Sequence, residues 1–253
     1  MLDAVRFTYP GTSDPVLEDV SVRIPAGAAV AIVGENGAGK TTLAKLLTRM
    51  YEPDSGEIRI DGVALHDLSV DAWRARTTAT FQDFARYELR AGHVVGIGDL
   101  PRHEDDALVL DALTRAGADH LLDSLDEGLD TLLGKSFEGG RELSGGQWQN
   151  LALGRGRMRD DPLLLVLDEP TASLDAPTEH ALFERYLTAT SEARARSGAI
   201  TMIVSHRFST VRRADLILVL DGGHIVEHGS HEELLASGGL YAELFDLQAS
   251  AYR

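Results

Sequence analysis

The chain contains no cysteine among its 253 residues, which excludes disulfide bonds, thiolate metal sites and cysteine nucleophiles. Lysine is scarce, because only Lys40, Lys45 and Lys135 occur and arginine supplies the remaining basic charge. No apolar run approaches the roughly 20 residues that a membrane-spanning helix needs. The N-terminus also lacks a basic segment followed by an apolar one, so no signal peptide is predicted. We therefore expect this chain by itself to be soluble.

Positive charge is in short supply as well. The chain has 40 acidic and 24 basic residues, which gives a formal net charge of −16. A surface of this sign repels the phosphates of nucleic acids and anionic lipids, so we expect no nucleic-acid partner. The composition is otherwise that of a globular protein, with 43% hydrophobic and 25% charged residues.

Hydrophobic patterns predict alternating strands and helices. Residues 20–24 alternate and lead through a turn into the apolar run 28–33, which predicts an antiparallel pair. Continuous apolar runs at 163–167 and 200–204 are typical of a parallel sheet covered on both faces. Residues 216–227 predict a hairpin. Further helices are predicted at residues 43–50, 108–116, 147–157, 179–196 and 232–235.

A glycine-rich segment follows the apolar run 28–33. It fits the phosphate-binding pattern G-x-x-x-x-G-K-[ST], and an amphipathic helix pattern comes after it. Glycines let successive main-chain N–H groups face one anion, and a helix N-terminus adds positive partial charge. Lys40 can bridge the β- and γ-phosphates of a nucleotide, and the Thr41 hydroxyl can ligate Mg²⁺. The predicted phosphate loop consists of Gly34, Glu35, Asn36, Gly37, Ala38, Gly39, Lys40 and Thr41.

Two carboxylates follow the apolar run 163–167. A buried strand would deliver Asp168 and Glu169 to its carboxyl end, where open α/β sheets bind ligands. Asp168 suits the binding of Mg²⁺, and Glu169 can accept a proton from an attacking water. The sequence Asp-Glu-Pro is also good turn chemistry, so this interpretation depends on the phosphate loop upstream.

The segment Leu143-Ser144-Gly145-Gly146-Gln147 is a second helix start that can bind phosphate. Ser144 can cap a helix that begins near Gln147, and the glycines let main-chain N–H groups approach an anion. A nucleotide has one γ-phosphate, and the two helix starts are far apart in sequence. We infer that the second site of one chain caps the nucleotide held by the first site of another chain.

This ordered set of motifs resembles the ATP-binding cassette (ABC) family, whose signature LSGGQ occurs at residues 143–147 without change. The resemblance covers nearly the whole chain. Residues 34–42 correspond to the Walker A motif, which adds Thr42 to the nucleotide-binding set, and residues 164–168 correspond to Walker B. Residues 173–175 correspond to the D-loop, which crosses the dimer interface in this family.

The resemblance also assigns roles to single residues. It implies that Tyr9 stacks on adenine, Gln82 touches Mg²⁺ and the attacking water, Glu169 is the catalytic glutamate, and His206 lies near the γ-phosphate. Taken singly, Tyr9, Gln82 and His206 could be ordinary strand or loop residues. The implied catalytic set is Lys40, Gln82, Glu169 and His206, the implied Mg²⁺ ligands are Thr41, Gln82 and Asp168, and the implied ATP contacts of the signature are Ser144, Gly145, Gly146 and Gln147.

The family implies an α/β fold with three parts: a P-loop NTPase core with a mainly parallel sheet, an N-terminal antiparallel β subdomain, and a helical subdomain that carries the signature. We expect one nucleotide-binding domain over residues 1–253, with the core at about 1–83 and 161–253 and the helical subdomain at about 84–160. The resemblance implies a Mg²⁺-dependent ATPase that forms a homodimer with ATP and can be a monomer without it. It also implies a transmembrane partner and a place at the cytoplasmic face of the cell membrane.

The subtype rests on flanking sequences. Residues 8–11, 205–210 and 229–234 look like exporter cassettes, which are usually fused behind six membrane helices, so we expect an excised cassette rather than a separate subunit. The Pro-Thr after Glu169 is more common in importer cassettes, and residues 137–142 resemble the exporter X-loop only loosely. An importer-type subunit and a soluble ABC ATPase of DNA repair or translation therefore stay as alternatives.

Two further classes are less favoured. A P-loop GTPase should carry Asn-Lys-x-Asp for guanine recognition, and that sequence is absent. A P-loop kinase would leave the signature unexplained. A non-hydrolytic interaction module would be distinguished by the lack of ATPase activity.

Overall fold

The computed structural model describes residues 1–169, 196–205 and 207–251. These residues belong to two compact units. The first unit contains Met1–Thr77, Pro162–Glu169 and the described part of Leu187–Arg253, and the described part of the second is Thr78–Asp161. The predicted helix at 179–196 lies almost entirely outside the described residues.

The first unit contains most of the strands. They are β1 (Leu2–Phe7), β2 (Leu17–Val22), β3 (Ala29–Val33), β4 (Ser55–Ile60), β5 (Val63–Ala64), β7 (Leu164–Asp168), β8 (Ile200–Val204), β9 (Leu216–Asp221) and β10 (His224–Gly229). Its helices are α1 (Lys40–Leu47), α2 (Val70–Ala75), and the helices Phe208–Val211, His231–Ser237 and Leu240–Ala251, with a 3-10 turn at Leu65–Asp67.

The parallel part of the first unit forms its core. Strand β3 is buried along its whole length and pairs in parallel with both β8 and β9. Strand β7 pairs in parallel with β8, so that Asp168 lies opposite Val204. Because β3, β7 and β8 run in the same direction, their carboxyl ends meet at one edge of the sheet. The sheet therefore brings the end of β3 and the end of β7 to the same place.

The pairing predicted for residues 20–24 with residues 28–33 is wrong. Strand β2 pairs antiparallel with β1, and β1 pairs on its other side with β4. The reason lies in the burial patterns. Side chains of β2 alternate between buried and exposed, as in a sheet with one face covered, whereas those of β3 are buried on both faces. The predicted hairpin near residues 216–227 is confirmed by the antiparallel pair of β9 and β10.

The second unit is mainly helical. Strand β6 (Thr77–Thr80) spans the boundary and has all but its first residue in this unit. The helices of the unit are α3 (Ala91–Gly96), α4 (Asp106–Ala116) and α5 (Gly145–Arg155), with 3-10 turns at Ile97–Arg102, Asp119–Ser124 and Gly128–Asp130. Helices α3 and α4 both pack on α5. Trp148, which directly follows the signature, is 3% exposed and fixes α5 in this core. Within the described residues, no helix combines the length and the hydrophobicity that a bilayer crossing requires.

Candidate functional site

The glycine-rich loop leaves the carboxyl end of β3 and enters α1. Gly34 has a φ of 147°, and a Cβ at this position would clash with the carbonyl oxygen of Leu220. Gly39 occupies the N-cap of α1 with a φ of 101°, a left-handed conformation that L-residues with a side chain rarely adopt. No side chain caps α1, because glycine has none to offer. The loop conformation therefore depends on these glycines, and α1 begins without a side-chain cap.

Lys40 is the first residue of α1 and is 7% exposed. Its Nζ donates hydrogen bonds of 2.8 Å to the carbonyl oxygens of both Gly34 and Glu35. Burial lowers the pKa of Lys40, while the carboxylates of Glu169 and Asp168 oppose this shift. A positive charge is thus held inside the loop, with its hydrogen bonds made to main-chain carbonyls.

The second residue of α1 meets the end of β7. Thr41 donates a hydrogen bond of 2.8 Å from Oγ1 to Oδ2 of Asp168. Asp168 is 2% exposed and lies at the carboxyl end of the buried strand β7. A hydroxyl and a carboxylate supply the hard oxygen ligands that Mg²⁺ prefers. The residues present at this point therefore fit a magnesium ion that is bound together with phosphate oxygens.

Glu169 follows directly and is half-buried. Its main-chain N–H donates to the carbonyl oxygen of Val204 at 2.9 Å, which continues the hydrogen bonding of β7 with β8. Its φ is 47°, a positive value that is uncommon outside glycine. Backbone strain of this kind costs about 1–3 kcal/mol and clusters at functional sites. The strand end thus turns sharply at the proposed general base.

Tyr9 lies beside the same helix. Its hydroxyl is 3.0 Å from Oγ1 of Thr42, the third residue of α1. Its ring packs edge-on against the rings of Phe7 and Tyr51, at centroid distances of 5.0 and 5.3 Å. Tyr51 was missed because it belongs to no motif, and the contact of Tyr9 with Thr42 was missed because their spacing in sequence does not show that two motif residues touch. The only feature of Tyr51 in the sequence that could have indicated its contact with Tyr9 is that it is aromatic.

The signature segment lies in the second unit. Ser144 is the N-cap of α5, and the prediction that it caps this helix is confirmed, although the helix begins at Gly145 rather than near Gln147. Ser144 Oγ accepts from the N–H of Gln147 at 3.3 Å, and Gln147 Oε1 accepts from the N–H of Ser144 at 2.9 Å. Gln147 Nε2 also donates to Ser124 Oγ at 3.2 Å. Ser144 and Gly145 are exposed, so the end of this helix is accessible from outside.

The predicted residues are thus divided between the two units. Within the first unit the structure brings together the phosphate loop, Tyr9, Asp168 and Glu169. Gln82 is an exposed residue of a turn in the second unit, and the signature residues lie in the same unit, at the start of α5. His206 and the predicted D-loop at 173–175 lie outside the described residues.

Comparisons with known proteins match these observations. A family model described as ABC transporter matches residues 17–172. An ATP-dependent lipid A-core flippase of Dechloromonas aromatica (strain RCB) is 42% identical over 249 residues, which are 97% of this chain and 40% of the relative. The corresponding flippase of Burkholderia orbicola (strain AU 1054) is 40% identical over 245 residues, 97% of this chain and 39% of the relative.

A solved structure is also similar. It is a bacterial Atm1-family ABC exporter with ATP bound, with a TM-score of 0.86 and 35% sequence identity. The similarity covers 98% of this chain and 41% of that chain. The present chain therefore spans about two fifths of the length of the proteins it matches.

Proposed function

Because this chain belongs to the ABC transporter family, we propose that it is the ATPase cassette of an exporter and that two copies bind two Mg-ATP head to tail and so power transport by a membrane-spanning partner. The observation that carries this proposal is the 2.8 Å hydrogen bond between Thr41 and Asp168. It joins the phosphate loop to the acidic strand end, although the two residues are 127 positions apart in sequence. In P-loop NTPases a hydroxyl of the phosphate loop and an aspartate at a strand end hold one Mg²⁺ together.

The first unit holds the nucleotide in this proposal. Tyr9 stacks on adenine, and the main-chain N–H groups of residues 34–42 surround the phosphates. Lys40 exchanges its bonds to the carbonyl oxygens of Gly34 and Glu35 for bonds to phosphate oxygens. This exchange is favourable because burial disfavours the charge of Lys40, and a phosphate oxygen bound directly to Nζ offsets that cost better than neutral carbonyl oxygens do.

Thr41 and Asp168 hold Mg²⁺ in this proposal, and Gln82 completes the set. When bound, the ion supplies charge neutralisation for the β- and γ-phosphates. Asp168 presents its carboxylate from a strand that is buried along its length, so its position is fixed before the nucleotide arrives. Fixed dipoles and charges of this kind lower a barrier without reorganisation during the reaction.

Glu169 accepts the proton of the attacking water in this proposal. It directly follows Asp168, the proposed metal ligand, and its positive φ means that its backbone no longer has the extended conformation of the strand. Lys40 lies close enough to both carboxylates to feel their charge, which supports a single cluster of reacting groups. His206 is proposed to steady the transferred phosphoryl group.

The signature of the second copy completes each site. The Ser144 oxygen accepts the N–H of Gln147, and its own hydroxyl proton can still be donated to a phosphate oxygen. Gly145 adds a main-chain N–H at the exposed end of α5, where the helix dipole favours an anion. ATP buried between two copies then acts as part of their interface, so that binding drives closure and hydrolysis permits opening.

The membrane-spanning partner follows from the family and from length. The relatives are transporters of which this chain covers about two fifths. We place the cassette at the cytoplasmic face of the cell membrane, attached to the transmembrane part of its transporter. The transported substrate is recognised by that part rather than by the cassette.

The decisive experiment uses Glu169→Gln. Loss of the general base should lower ATP turnover by about 100-fold or more. ATP binding should persist, and light scattering with Mg-ATP should show a stable dimer. Glu243→Gln, a change of the same chemistry at an exposed position on the last helix, is the matched control and should behave as the parent.

Lys40→Ala tests the binding of ATP, whereas Glu169→Gln tests its hydrolysis. It should lose most of the ATP affinity and show neither turnover nor dimer. Turnover near the parent rate in Glu169→Gln would refute the general-base assignment. Full ATP occupancy of Glu169→Gln without a dimer would refute the head-to-tail arrangement.

A further inference from the structure

The segment that follows Gln82 is joined to the loop that precedes the signature helix. The two strands of chain run antiparallel around an isolated bridge between Arg90 and Leu132. Ala91 N–H donates to the carbonyl oxygen of Thr131, and Leu133 N–H donates to that of Leu89, both at 3.0 Å. Main-chain hydrogen bonds therefore join residues 89–91 to residues 131–133.

A carboxylate extends this junction. Glu88 is exposed, yet its two oxygens accept the main-chain N–H groups of Lys135 at 3.3 Å and Ser136 at 3.1 Å. The hydroxyl of Ser136 contributes most to a lowered pKa of Glu88, and the charge of Lys135 contributes least. Gly134 has a φ of 95°, and a Cβ there would clash with the Glu88 side chain. The loop thus folds around the carboxylate, with a glycine where the two approach most closely.

The same loop leads into the signature helix. Gly134 N–H donates to the carbonyl oxygen of Arg141 at 3.0 Å, and Arg141 N–H donates to that of Leu132 at 2.8 Å. Leu143, two residues further on, is 5% exposed, and Ser144 then caps α5. Hydrogen bonds therefore hold this loop at residues 135–136, where Glu88 accepts, and at residue 141, and the signature begins two residues further along the chain.

We propose that Glu88 is a positioning residue for the signature. By binding two main-chain N–H groups of residues 134–141, it fixes the loop and, through the loop, the N-terminus of α5. This inference rests on the proposed function, because it assumes that α5 meets the ATP held by a second copy. Glu88 itself touches neither nucleotide nor metal in this proposal.

The test measures ATP-driven dimerisation in a Glu169→Gln background. Glu88→Ala should raise the protein concentration needed for half-maximal dimer by about tenfold, since two hydrogen bonds to an ionised acceptor are lost. The affinity of the single chain for ATP and the thermal midpoint should stay within about twofold and about 2 °C of the parent. A purely structural role would shift all three measurements together.

Two control variants separate charge from hydrogen bonding. Glu138→Ala removes an equal charge from the same loop, and Lys135→Ala removes the side-chain charge while keeping the main-chain N–H. Both should dimerise as the Glu169→Gln parent does. Glu88→Gln keeps one acceptor oxygen and should lie between the parent and Glu88→Ala.

The outcomes distinguish failure of the positioning role of Glu88 from failure of the proposed function. If the Glu169→Gln parent binds ATP but forms no dimer, the proposed function fails. If that parent dimerises and Glu88→Ala dimerises equally well, the positioning role fails. A Lys135→Ala variant as weak as Glu88→Ala, or a Glu88→Gln variant no better than Glu88→Ala, would also overturn it.

Discussion

The two helix starts that are proposed to meet ATP are built in opposite ways. Helix α1 begins after Gly39, a left-handed glycine that provides no side-chain cap. Helix α5 begins after Ser144, which forms a complete capping box with Gln147. The capping box satisfies the N–H groups of Ser144 and Gln147 before any ligand arrives, whereas an end without a side-chain cap leaves that task to a ligand or solvent. The difference indicates that the start of α1 leaves hydrogen-bond donors for a bound anion, whereas the conformation at the start of α5 is already fixed by hydrogen bonds within the chain.

The two helix starts also differ in the charge of the residues that form them. The phosphate loop encloses the ammonium group of Lys40, whose pKa burial lowers. The signature residues Ser144 and Gly145 are uncharged and exposed. The first site therefore carries an electrostatic cost that an anion relieves, and the second site does not. We expect the stability of the chain to be sensitive to changes in the first site and its association to be sensitive to changes in both.

The largest expected effect comes from glycines at the two sites. Gly34→Ala should lower the free energy of unfolding by about 3 kcal/mol, because the backbone is strained for alanine and the methyl meets Leu220. Gly145→Ala, where a Cβ would meet no atom within 4 Å, should change it by about 0.5 kcal/mol or less. Urea titrations of both variants measure the difference. Equal costs at the two positions would remove the contrast between the sites.

A smaller effect separates capping from ATP contact. Ser144→Ala should cost about 1 kcal/mol of stability because α5 loses its cap. Ser230→Ala is the matched control, since Ser230 and Glu233 form the same capping box on helix His231–Ser237. Both variants should lose similar stability in urea titrations. Only Ser144→Ala should weaken the ATP-driven dimer in light scattering, and a weaker dimer in both would reduce the signature serine to a helix cap.

The smallest expected effect concerns Lys40 and pH. Because its folded-state pKa is lowered, the unfolded chain binds more protons between that value and the ordinary lysine pKa. The free energy of unfolding should therefore rise with pH in this window, and Lys40→Met should lose the rise. Urea midpoints between pH 8 and pH 10.5, without nucleotide, test this expectation. Lys135→Met is the control, and the same pH response in Lys40→Met as in the parent would show that another group titrates.

The sequence predicted the parts of the fold that hydrophobic pattern controls. The strand at 200–204 has the predicted bounds, and the recognition of an exporter-like ABC cassette with an α/β fold is confirmed. The relatives do not favour the importer or soluble alternatives. Helix α1 begins at Lys40 rather than residue 43, because the glycine N-cap and not the first leucine starts it. The pairing of β2 was wrong because alternation shows which face is buried and not which strand is adjacent.

The candidate site was predicted where motifs place chemistry at fixed spacing. The loop residues and Asp168 are examples, since a buried strand delivers each motif to the same edge of the sheet. Hydrogen bonds between main-chain groups and side chains far away in sequence leave no pattern in the sequence from which they could be predicted. Glu88 and its partners at 135–136 are 47 and 48 residues apart, and nothing in the spacing indicates that they meet. The roles of Gln82, Glu169 and His206 stay predictions.

The hydroxyl contact between Tyr9 and Thr42 gives the nucleotide pocket a fixed span. Tyr9, which is proposed to bind the base, and α1, which is proposed to bind the phosphates, are joined by this hydrogen bond of 3.0 Å. If Tyr9 binds the base and α1 binds the phosphates, as proposed, this contact holds the two parts of the binding site at a set separation. Under this arrangement, a ligand occupies both sites only when the distance between its base and its phosphates equals the distance between Tyr9 and α1.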